Sequence, residues 1–92
     1  MIRVGAVEGG AFDEDTIFLF HNSHSALKTC VENKKRKGHT SLTVNILSCE
    51  DCDVNYDTYK QVRDTILKVS HETGVALGIR DWKLGYVPAY RL

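Results

Sequence analysis

The sequence predicts an α+β protein, a two-layer sandwich with two helices on one face of a mixed sheet of about five strands, in the order β-β-α-β-α-β-β. Three observations carry this expectation. Two stretches place apolar residues at helical spacing, and each stops at a glycine. The runs around them alternate apolar and polar residues, or are rich in β-branched and aromatic side chains, as strands are. No repeat, linker or low-complexity segment divides the 92 residues, so residues 1–92 read as a single domain.

Residues 1–8, "MIRVGAVE", put Ile2, Val4 and Ala6 on one side and read as a first strand. "GGAFDED" is a loop of glycines and acids, and "TIFLF", residues 16–20, is a buried strand. In "HNSHSALKTCVENKKRKG", Asn22, Ser23 or Ser25 can cap a helix. Ala26, Leu27, Cys30 and Val31 give that helix its apolar face, and Gly38 ends it after a cationic last turn. "TSLTVNILS", residues 40–48, alternates most clearly: Leu42, Val44 and Ile46 against Thr43, Asn45 and Leu47. "CEDCDVN" is a polar loop. A second helix spans about residues 56–73, with Tyr59, Val62, Ile66 and Val69 as its stripe. Gly74 ends it. "VALGIRD" and "KLGYVPAYRL" are two further strands around a turn at Asp81, Trp82 and Lys83. Pro88 has no N–H to donate, so the last strand belongs at an edge or carries a bulge. In element order, the β-α-β-α-β-β part resembles the C-terminal domain of bacterial translation initiation factor 3 and the archaeal chromatin protein Alba. "KLGYVP" resembles the end of HIRAN domains.

Composition narrows the function classes. Lysine plus arginine and aspartate plus glutamate both number 12, for a net charge of zero. A general nucleic-acid binder carries a basic excess that this chain lacks. Three cysteines, an odd number, argue against a disulfide scaffold. No signal peptide and no membrane-length apolar run is visible, so the expected location is the cytoplasm.

Two motifs bear metal-type side chains. "HNSH" holds His21 and His24, and "SCEDCD" holds Cys49 and Cys52. If strands 16–20 and 40–48 are parallel neighbours, both motifs leave the sheet at its carboxyl edge, where open sheets place ligands. The opposite edge receives the basic run Lys34, Lys35, Arg36 and Lys37, the acids Asp13 to Asp15, and "SHETG" at residues 70–74. A zinc site suits two thiolates at C-x2-C with two imidazoles, although H-x2-H is tighter than the usual histidine spacing. Glu50, Asp51 and Asp53 around the cysteines oppose a redox or nucleophilic thiolate. The plainer reading makes Asp53 and Asn55 helix caps, with the histidines and cysteines as packing at a layer boundary.

The glycines of "GAVEGGAF" lead into acids and a strand, whereas a phosphate loop leads into a helix N-terminus. They read as a hairpin turn. The basic run complements a helix macrodipole by about 0.3–1 kcal/mol, or contacts phosphate. The C-terminal ribbon interleaves Arg80, Trp82, Lys83, Tyr86, Tyr90 and Arg91, a mixture that suits protein interfaces and single-stranded nucleic acid alike.

The expectation is a non-enzymatic interaction module without a cofactor. Its ribbon residues bind a macromolecule, foremost a protein, in the manner of a small regulator or inhibitor such as phages and mobile elements encode. The alternatives are an RNA- or DNA-binding domain that adds Lys34 to Lys37 to the ribbon, and a zinc protein using His21, His24, Cys49 and Cys52.

Overall fold

A computed structural model describes the backbone of residues 5–46, 56–81 and 85–90, and the side chains of 5–46 and 60–80. The chain is a small α+β fold with a mixed sheet and two helices. Its elements are β1 (Ala6–Glu8), β2 (Thr16–Leu19), α1 (His24–Arg36), β3 (Ser41–Ile46), α2 (Tyr56–Thr73), β4 (Ala76–Asp81) and β5 (Gly85–Tyr90). The strands lie side by side in chain order, β1-β2-β3-β4-β5. β2, β3 and β4 are mutually parallel, and β1 and β5 flank them antiparallel.

This order follows from the connections. Parallel neighbours need a long crossover, and here a helix supplies each one. Two crossovers of the same hand, stepping the same way across the sheet, put their helices on the same side. Accordingly α1 packs on β1 and β2, α2 packs on β4, and the helices touch each other.

Helix ends are built locally. The Ser23 hydroxyl accepts from the Ala26 N–H at 3.4 Å and caps α1, a contact worth about 1 kcal/mol. Gly38 and Gly74 stop the two helices at φ +98° and +73°, the left-handed region that glycine enters freely. At the end of α1, His39 N donates to Lys34 O at 3.1 Å and Gly38 N to Lys35 O at 3.0 Å, which satisfies carbonyls the helix leaves open. At the end of α2, Gly74 N donates to Ser70 O at 2.9 Å, and Lys35 reaches across from α1 to donate to Thr73 O at 2.6 Å.

The core lies between helices and sheet. Leu27, Cys30 and Val31 of α1 and Val62, Ile66 and Val69 of α2 are buried against Ala6, Ile17, Leu19, Leu42, Val44, Ile46, Leu77 and Ile79. β5 is an edge strand, as Pro88 requires, and it also bulges. Leu77 pairs with Tyr90 and Ile79 with Val87, so Gly78 on β4 faces both Pro88 and Ala89.

Two details differ from the sequence reading. Strand β2 closes at Leu19 because Phe20 N and His21 N both turn to donate to Gly5 O, at 2.7 and 3.2 Å; residues 47 and 48 of the expected 40–48 strand lie outside the described residues. The spatial split of the polar ends also differs, because His24 meets Glu72 of the "SHETG" segment. Chain order fixes the sheet edge from which a segment leaves. Packing of the two helices decides which side chains pair across them.

Candidate functional site

Period-2 alternation sends every second strand residue away from the helices. On that face one register line crosses the whole sheet. Val7 is paired with Phe18, Phe18 with Asn45, Asn45 with Arg80, and Arg80 with Tyr86. Thr16, Thr43 and Gly78 form the next row. Val7, Phe18, Thr16, Thr43 and Asn45 are half-buried, and Arg80 is exposed. No described helix or strand covers this face. At its centre the Asn45 Oδ1 is shielded from solvent yet has no hydrogen-bond partner among the described residues, a costly state for an amide oxygen.

Of the ribbon residues expected to bind a partner, Arg80 stands on this face. Tyr86 and Tyr90 lie within β5, and Tyr86 falls on the same register line. Trp82, Lys83 and Arg91 lie outside the described residues, as do the side chains of Tyr86 and Tyr90. Phe18 and Asn45 were not singled out by the sequence. Their signal was present, since they alternate with buried neighbours, but only the register shows that they adjoin Arg80.

The basic run is largely engaged within the fold. Lys35 caps α2, the Arg36 Nη1 donates to the Asn33 Oδ1 at 3.0 Å, and the Lys37 Nζ pairs with the Glu8 Oε1 at 3.2 Å. Lys34 is buried, at 4% exposure. Polyanion binding uses solvent-facing cations free to release counterions, and this run offers few.

The metal-type residues are also partly accounted for. His21 is exposed. The His24 Nε2 pairs with the Glu72 Oε1, and the Lys28 Nζ lies 3.7 Å from the Glu72 Oε2. Cys49 and Cys52 lie outside the described residues. Among the described residues no three His, Cys, Asp or Glu side chains gather as a metal site. The Cys30 thiol is buried in the core. Burial, and then Glu8, push its pKa up against the opposing effect of Lys34, so it stays an unreactive thiol.

The His24 hydrogen bond, with smaller help from the charges of His24, Lys28 and Lys68, lowers the pKa of Glu72 below its ordinary 4.5. A carboxylate held below its unfolded value stabilises the fold above that value. The contribution is lost as pH falls through the lowered one. Glu72→Gln is therefore expected to lower the urea midpoint near neutrality. The gap from the parent should close in acid, as pH falls below the ordinary 4.5 and through the lowered value, and a gap that widened there would refute the pairing.

Among the described residues no helix is long and apolar enough to cross a membrane. Among the described residues one large apolar side chain, Phe12, is fully exposed, at the tip of the β1–β2 hairpin. No protein-family model, curated protein or solved structure matches the chain significantly.

Proposed function

We propose that this chain is a non-enzymatic interaction module that takes a protein partner on the sheet face opposite its helices. Phe18, Asn45 and Arg80 form the centre of that surface, and Tyr86, on the same register line, extends it. Tyr90 pairs with the core residue Leu77 across the bulge and is not part of it. Trp82, Lys83 and Arg91, outside the described residues, are carried over from the sequence reading. One observation carries the reading. The three central strands are parallel, parallel sheets are almost always covered on both faces, and here no described element covers the second face. Its mixture of an aromatic ring, an arginine and neutral polar groups suits a protein interface. The nucleic-acid alternative is less well supported because Lys35, Arg36 and Lys37 already have partners within the chain.

Affinity capture from the native extract tests the proposal, followed by measured affinities for each captured protein and for random-sequence RNA. Phe18→Ala or Trp82→Ala is expected to cost about 2 kcal/mol or more of protein binding if either residue is a hot spot. Charge reversal at Arg36, which is exposed, is expected to act mainly on the association rate. Tight binding to random RNA that weakens steeply with salt and survives Phe18→Ala and Trp82→Ala would overturn the proposal.

A further inference from the structure

A recess of about 440 Å³ opens between the β1–β2 hairpin and the carboxyl end of α1. The glycine turn at residues 9–11 and Glu14 line it from the hairpin, and Lys34, Lys37 and His39 line it from the helix end. Two motifs that stand apart in the sequence thus meet in space, the glycine turn and the basic run.

Lys34 is the unusual member. It shares the apolar stripe of α1 with Leu27, Cys30 and Val31 and is 4% exposed. Among the described residues its ammonium has neither an ion-pair nor a hydrogen-bond partner. The stem packs on the core while the ammonium itself is not cut off from solvent, as long cationic side chains commonly arrange, and it lines the recess. The recess is where a counter-charge can reach it.

We infer that this recess binds the phosphate group of a small anionic molecule, with Lys34, its stem anchored in the core, as the innermost cation and Lys37 and His39 beside it. Lysine ammoniums act as point charges for phosphate, and backbone N–H groups of tight turns add to such sites. The volume falls within the about 300–1,000 Å³ of small-molecule sites, which leaves room for the rest of a phosphorylated compound. Two features oppose an anion, and both are muted. The negative end of the α1 dipole lies close by, but its carbonyls at Lys34 and Lys35 already accept from Lys37, Gly38 and His39. Glu8 is held by Lys37, and the side chain of Glu14 is exposed. The inference is independent of the sheet-face proposal, because the recess lies on the helix side of the hairpin.

Inorganic phosphate titrated at constant ionic strength, followed by NMR, tests it. Saturable shifts are expected at the amides of Gly9, Gly10 and Ala11 and at the Lys34 ε-methylene, with acetate binding at least about tenfold more weakly. Lys34→Met keeps the length and burial of the side chain. It should weaken phosphate binding by about tenfold or more while leaving the free protein at least as stable as the parent. Lys37→Met, at an exposed position, should weaken it as well and tests the site without touching the core. Arg36→Gln should leave binding unchanged. Shifts that stay linear in phosphate, acetate binding equal to phosphate, or full binding by both lysine variants would each overturn the inference.

Discussion

Ile66→Ala is expected to destabilise the fold by about 2–5 kcal/mol. Ile66 is fully buried at the middle of the α2 stripe, between Val62 and Val69, where the helix meets the sheet. Truncation loses the transfer free energy of the missing methyl and methylene groups and leaves a cavity. The site has little freedom to collapse, because buried side chains of both layers are held by separate hydrogen-bonded elements. For a domain of this size the effect is a large share of a total stability of about 5–15 kcal/mol. Urea unfolding would measure it, and a loss below about half a kcal/mol would mean that α2 does not seal the core.

Gly9→Ala is expected to cost about 1–3 kcal/mol, the range of overpacking, although the position is a surface turn. A Cβ at residue 9 would stand 2.2 Å from the Asp13 carbonyl oxygen, 2.8 Å from the Asp13 Cβ and 2.9 Å from the Thr16 oxygen. Two of these neighbours are backbone, so no side-chain rotation relieves the contact. The turn must open, and the bonds it would lose are Gly9 N to Thr16 O at 2.8 Å and Thr16 N to Asp13 O at 2.9 Å. Gly10→Ala is the control, since its Cβ would meet nothing within 4 Å. Equal melting temperatures for the two variants would contradict this account.

Local signals carried much of the fold. The stripe Val62, Ile66 and Val69, the glycine stops at Gly38 and Gly74, the Ser23 cap and the edge position of Pro88 all follow from short-range chemistry, and the structure places them accordingly. The surface was less legible. The basic run read as four alike cations, but Lys34 lies seven residues after Leu27 and so falls on the apolar stripe. Helical spacing applied to charged as well as apolar residues would have marked it. The row Val7, Phe18, Asn45, Arg80 and Tyr86 depends on four strand registers, and no local pattern sets a register between strands separated by a helix. The pairing of His24 with Glu72 depends on how the two helices pack on each other, which no local pattern sets either.

The sheet's consecutive strand order bears on how the chain finds its structure. No strand must be inserted between two neighbours that are already paired, because each adjoins the strand before it in the chain. Loop closure is therefore limited at every step to one hairpin or one helix crossover, which keeps the mean sequence separation of contacts low for a protein with this much sheet. The β1–β2 hairpin can serve as a template, α1 and β3 then dock on its free edge, and α2 and β4 dock on the edge that β3 provides. Each new edge is covered by the next segment to leave the ribosome. The interval in which a bare parallel strand can recruit a foreign chain is correspondingly short.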